Sequence, residues 1–216
     1  MPQPPLILPQ AILFDMDGTL TQDTIDFELI RQDLGFGPEP ILETIHRLSG
    51  EHRELCERKL LKWERHFADT SELNAGCLDL LDWLTARNIS TALITRNTRS
   101  SVQTVLEKHG LQFEVQITRE DGKFKPDPEP LWLACDRLGV KAADTWMVGD
   151  WKYDIEAGNA AGATSVWLSH GRSPRPFDAE PHLTVRDLCE LTKVLQDADR
   201  SARCSGAANI DDKERA

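Results

Sequence analysis

The chain has 216 residues, enough for one large domain or a domain carrying a modest insert. Its hydrophobic content of 40% supports a real core, and no apolar run approaches the ~20 residues that a membrane-spanning helix needs. Lys and Arg number 25 against 36 Asp and Glu, and the resulting net charge of −11 disfavours nucleic acid and anionic membranes as partners.

The first ten residues hold four prolines and no basic residue, unlike a secretory signal. A soluble cytoplasmic protein is therefore expected. The five cysteines (Cys56, Cys77, Cys135, Cys189, Cys204) form no CxxC pair, so reduced and mostly buried thiols are expected rather than a disulfide or zinc framework.

The first predicted strand is Ala11–Phe14. Similar short apolar runs recur at 91–94, 114–117, 145–148 and 165–168. Three or four consecutive apolar residues suit strands covered on both faces. Helical spacing lies between them, as in Cys77, Leu81 and Leu84, in Val102, Val105, Leu106 and His109 before Gly110, and in Leu131, Ala134, Cys135 and Leu138 before Gly139. Alternating strands and helices predict a parallel α/β sheet of Rossmann-like type.

Residues 23–74 break the alternation. They offer three helices, about 24–34, 39–48 and 51–68, and no strand. About 50 residues far exceeds an ordinary crossover, so a small helical cap domain inserted after the first strand is predicted. Residues 1–22 and 75–200 would form the catalytic core. Residues 201–216 are expected to be a disordered tail.

Four polar clusters follow the predicted strands, directly or after one short loop. They are Asp15-Met16-Asp17-Gly18-Thr19, Thr95-Arg96-Asn97, Lys125-Pro126-Asp127-Pro128, and Gly149-Asp150-Trp151-Lys152-Tyr153-Asp154. Each alone fits a turn, a helix cap or a solvated side chain. In an open α/β sheet, however, the carboxyl ends of the strands line one crevice. There Asp150 and Asp154 offer oxygen ligands suited to Mg²⁺, and Asp15 and Asp17 can both reach the same crevice. Thr95 and Arg96, at a helix start, suit a phosphoryl group, and Lys125 adds a rigidly mounted ammonium. Two carboxylates ~4 Å apart repel by roughly 4 kcal/mol at an effective dielectric near 20, so such a cluster calls for cations.

In this order and spacing, Asp15-Met16-Asp17-Gly18-Thr19, Thr95, Lys125 and Gly149-Asp150 with Asp154 resemble the four motifs of the haloacid dehalogenase-like hydrolases. The helical insert and Asn159–Gly162 are similar to the phosphoglycolate phosphatase and β-phosphoglucomutase branch. The resemblance implies a Mg²⁺-dependent phosphatase. Asp15 would be the nucleophile and would become an aspartyl-phosphate. Asp17 would be the general acid and base. Thr95, Arg96 and Lys125 would hold the phosphoryl group. Asp15, the backbone carbonyl of Asp17, and Asp150 would bind Mg²⁺, with Asp154 in direct contact or one water away.

The implied partner is a small phosphorylated metabolite, acted on by a monomer or homodimer. Asp17 argues against the dehalogenase and phosphonatase branches, which lack an acid there. Phosphosugar mutase chemistry is the alternative reading, and a non-catalytic module docking through its cap is a third. Trp151 and Tyr153 depart from the usual small polar residues. The cap positions Arg31, His46, Arg47 and Arg53 could meet a substrate anion but are expected on solvated helix faces. Hinges at Leu20–Asp23 and Leu73–Gly76 are expected to let the cap close.

Overall fold

The computed structural model describes residues 6–211, with side chains through residue 203. Six parallel strands form one sheet in the order β3-β2-β1-β4-β5-β6. They are β1 (Ala11–Phe14), β2 (Ser90–Ile94), β3 (Val115–Ile117), β4 (Thr145–Gly149), β5 (Thr164–Leu168) and β6 (Leu183–Val185). Central β1 pairs with β2 and β4, with Phe14 opposite Leu93 and Val148. All four β1 residues are fully buried, which explains their unbroken apolarity.

Alternation along β1 feeds two cores. Ile12 and Phe14 pack with Leu80 and Leu84 of α4 (Cys77–Ala86), Val102 and Val105 of α5 (Arg99–His109), and Leu191 and Leu195 of α8 (Leu188–Asp211). Leu13 packs on the other face with Leu131 and Ala134 of α6 (Glu129–Leu138) and Ala157 of α7 (Lys152–Ala161). Helices α5 and α6 end at Gly110 and Gly139, as their spacing predicts.

The expected helical cap follows β1. It comprises α1 (Phe27–Leu34), α2 (Ile41–Arg47) and α3 (Gly50–Thr70). Ile30, Leu34, Leu42, Ile45, Cys56 and Leu60 give it a core of its own. Its entry and exit strands lie side by side. Thr21 bridges Leu73, Gln22 N donates to Glu72 O at 2.8 Å, and Asn74 N donates to Leu20 O at 2.8 Å. The Asn74 side-chain amide also bonds the carbonyls of Gly18, Thr19 and Thr21. Both expected hinge segments therefore meet directly beneath the first polar cluster.

Two elements differ from expectation. Strand β6 has only three residues, and its Thr184 is exposed, which leaves too short an apolar run to stand out. Residues 201–211, expected in a disordered tail, instead continue α8. Local pairs support the turns before them: Arg203 meets Asp199 at 3.1 Å and Ser201 Oγ donates to Asp197 O at 2.9 Å. Residues 212–216 of the expected tail lie outside the described residues. Cys56, Cys77 and Cys135 are buried free thiols and Cys189 is an exposed one, while Cys204 lies outside the described side chains. No described helix is long and apolar enough to cross a membrane.

Candidate active site

The carboxyl ends of β1, β2 and β4 converge on one cavity beneath the cap. Asp15, Asp17, Thr95, Arg96, Lys125, Asp150 and Asp154 all line it. These seven residues come from four separate stretches of chain, and the strand order brings them together.

Lys125 is the centre of the arrangement. Its side chain is 1% exposed, and Nζ donates to Asp15 Oδ1 at 2.6 Å, Asp154 Oδ1 at 2.7 Å and Ile94 O at 2.6 Å. All three donor positions of the ammonium are thus used. Burial works against its charge, but Asp15 and Asp154 outweigh that and hold the amine above its ordinary value.

The carboxylates carry the opposite strain. Burial pushes Asp15 well above its ordinary value; Lys125 pulls it back, and Asp154, Asp150 and Asp17 raise it further. Burial and the neighbouring Asp154 lift Asp150 to about 7, against the pull of Arg172. Burial likewise lifts Asp17 to about 6, although Asn97 Nδ2 donates to its Oδ2. In all three, burial is the largest cause, and neighbouring carboxylates add to it.

Asp15, Asp150 and Asp154 can each aim one oxygen so that all three lie within 4.8 Å of one another. The backbone makes room for them. A Cβ on Gly18, where φ is +76°, would sit 2.6 Å from Asp150 Oδ2, and a Cβ on Gly149 would collide with the Asp154 carboxyl. The all-oxygen donors, their proximity and their surplus of negative charge fit a hard divalent cation. Asp154 is also tied down by accepting from Trp151 N at 3.1 Å, through the oxygen that does not face Lys125.

Thr95 is 4% exposed at the end of β2, and its hydroxyl accepts from Asn97 N at 3.1 Å. Arg96 has different partners from those expected. Its guanidinium grips Glu43 of α2 at 2.8 and 2.9 Å and the Lys125 carbonyl at 2.8 Å. It also lies 4.2 Å from the Tyr153 ring centroid and 4.7 Å from that of Phe124. Tyr153, a departure from the usual pattern, thus serves as a shelf for Arg96. Trp151 packs edge-on against Phe177.

Two residues escaped the sequence reading. Arg172 donates to the Asp150 carboxylate at 3.1 Å and to its carbonyl at 3.0 Å, and His170 Nε2 meets Gly18 O at 2.6 Å. Both follow β5, so Ser169-His170-Gly171-Arg172 is a fifth polar cluster after a strand, and the rule that found the other four would have found it. Arg31 turns into the cavity instead of lying on a solvated face. Arg53 does pair with Glu57 on an exposed helix face, and His46 sits against Phe124.

The family model of the haloacid dehalogenase-like hydrolases matches residues 9–162. A phosphoglycolate phosphatase of Pseudomonas syringae pv. tomato is 31% identical over 225 residues, covering 89% of this chain and 82% of that protein. One from Pseudomonas putida is 30% identical over 217 residues, covering 87% and 80%. The crystal structure of a HAD phosphatase from Thermococcus onnurineus superposes with a TM-score of 0.65 at 25% identity, covering 86% of this chain and 97% of that one. With that match running from β1 through α7, and with the four clusters gathered at the ends of the strands, the chain belongs to the haloacid dehalogenase-like hydrolases.

Proposed function

We propose that the chain is a Mg²⁺-dependent phosphatase that cleaves a phosphorylated metabolite through an aspartyl-phosphate on Asp15. The observation that carries this reading is Lys125 Nζ, held between Asp15 and Asp154 within a cluster of carboxylates. The phosphatases among its relatives support the same class of substrate.

Asp15, the Asp17 backbone carbonyl and Asp150 would hold the ion, with Asp154 beside them. Bound there, Mg²⁺ supplies positive charge that offsets the clustered carboxylates and draws a phosphoryl group in. Lys125 keeps the Asp15 carboxylate ionised and oriented. An oxygen of Asp15 attacks phosphorus while the bond from phosphorus to the ester oxygen breaks. Asp17, lifted to about 6 by burial, gives its proton to that leaving oxygen. Asp17 then takes a proton from a water that attacks phosphorus, the bond to Asp15 breaks, and inorganic phosphate leaves. Thr95 and the backbone N–H groups beyond it hold the phosphoryl oxygens throughout. Closure of residues 23–74 over the core excludes bulk water.

The test is release of inorganic phosphate from phosphomonoesters with Mg²⁺ present, followed over time. Asp15→Asn should lower kcat by about 10⁴-fold or more, as loss of a nucleophile does elsewhere, and should leave the circular dichroism spectrum unchanged. Retained turnover would overturn the nucleophile assignment, and a rearranged phosphate ester in place of inorganic phosphate would overturn hydrolysis.

A further inference from the structure

The cavity above the carboxylates encloses about 600 Å³. That lies within the range of about 300–1,000 Å³ that accommodates drug-sized ligands, several times what a two-carbon acid fills. Its cap side is lined by Ile25, Phe27, Ile30, Leu42, Leu60 and Phe67. None of these six offers a side-chain partner to a hydroxyl, so a sugar ring packed against them would lose hydration without replacement. The wall suits an apolar body instead.

Charged groups interrupt that wall: Asp23, Glu39 and Glu64, which repel a carboxylate, and Arg31, which attracts one. Arg31 of α1 lines the cavity, and its Nε is buried without a hydrogen-bond partner. Its side chain makes no hydrogen bond or ion pair among the described residues. The other two guanidinium groups lining the cavity are engaged, Arg96 with Glu43 and Arg172 with Asp150. A buried donor with no acceptor is rare and calls for one. A guanidinium fork matches a carboxylate best.

Resting on the phosphatase reading, we propose that the substrate is a phosphomonoester whose leaving group is an apolar body, of about the bulk of an aromatic ring, bearing a carboxylate that pairs with Arg31. The phosphoryl end meets Asp15 and Lys125, the body fills the space under Phe27, Leu42 and Leu60, and Arg31 reads the acid. Arg31 is then a specificity-determining residue.

The test compares kcat/KM of the Mg²⁺-loaded enzyme for phenyl phosphate, 4-carboxyphenyl phosphate, 2-phosphoglycolate and glucose 6-phosphate. Phenyl phosphate should exceed the last two by about 10-fold or more, and the added carboxyl should contribute another ~10-fold through its charge-assisted pair. In Arg31→Met the ratio of 4-carboxyphenyl to phenyl phosphate should fall to near one, and Arg31→Lys should restore part of it. Each ratio is internal to one variant, so lost expression or stability does not imitate it. Preference for phosphoglycolate or glucose 6-phosphate, or a ratio unchanged in Arg31→Met, overturns the proposal.

Calorimetry separates the two readings. 4-Carboxyphenylphosphonate should bind the wild-type enzyme about 10-fold or more tighter than phosphonoacetate, and Arg31→Met should erase the gain from the carboxyl. If that order holds while no phosphomonoester is turned over, the phosphatase reading fails and the assignment of the cavity stands. If turnover occurs but the binding order is reversed, the assignment of the cavity fails alone.

Discussion

At the scale of single residues, Lys125 decides whether the carboxylate cluster can exist. It is almost fully buried between two buried acids, and losing one member of such a set leaves the others uncompensated. Lys125→Met keeps the length and most of the volume but removes the charge. It should cost about 3–5 kcal/mol in urea unfolding without metal, and phosphate release should disappear. A variant as stable as the wild type would mean that Asp15 and Asp154 simply take up protons when the ammonium goes. Residues 15, 17, 95 and 150 were legible because each is polar and sits just past an apolar strand, Lys125 because it follows β3 after one loop, and Asp154 because it opens the helix after β4. Arg172 follows β5 in the same way. Arg31 was legible as one of four cap residues able to meet a substrate anion, but which of them faces the cavity depends on how one helix face turns within the folded cap.

At the scale of elements, strands were easiest to read where both faces are covered. The runs of β1, β2, β4 and β5 are apolar because α4, α5 and α8 cover one face of the sheet and α6 and α7 the other. Strand β6, three residues at the edge of the sheet, and the polar end of α8 carry no such signal. The cap was legible as three helices, but its fastening to the core was not, because the partners lie 53 and 55 residues apart. Arg96 pairs with Glu43, and Arg119 pairs with Glu64 through both terminal nitrogens. Burial holds the Glu64 carboxyl above its ordinary 4.5 even though Arg119 opposes the shift. The folded chain therefore holds that proton more tightly than the unfolded chain. Its contribution to stability is full below pH 4.5 and is lost as pH rises through the raised folded value. Arg119→Ala removes the opposing charge. It should lower stability by about 1–3 kcal/mol at pH 8, a buried-pair cost reduced because both groups keep some solvent. At pH 4, below the ordinary value of 4.5 and so further below the raised one, Glu64 is mostly protonated and the loss should be smaller. Thermal unfolding of wild type and variant at both pH values measures this, and an equal loss at both would show that Glu64 stays ionised throughout.

At the scale of the whole molecule, a net charge of −11 and a site of clustered acids work against an anionic substrate. Lys125 and Arg172 offset part of the local excess, yet Asp15, Asp17 and Asp150 all remain raised. Burial and neighbouring carboxylates together make charge costly at these acids, which sit just beyond the carboxyl ends of β1 and β4 in the middle of the sheet. A divalent cation binding there stabilises the folded chain and has no equivalent site in the unfolded one. At a free Mg²⁺ concentration 100 times Kd the gain is about 2.7 kcal/mol. For a chain of this length each kcal/mol moves Tm by roughly 2–4 °C, so Mg²⁺ should raise Tm by about 5–10 °C and EDTA should reverse it. Asp150→Asn should lose most of that rise, while an exposed acid such as Glu54, paired with Arg58 on α3, should be replaceable by Gln without effect. A Tm indifferent to Mg²⁺ in the wild type would mean that the folded chain does not bind the ion, and a rise that survives in Asp150→Asn would place the ion away from the acids that follow β1 and β4.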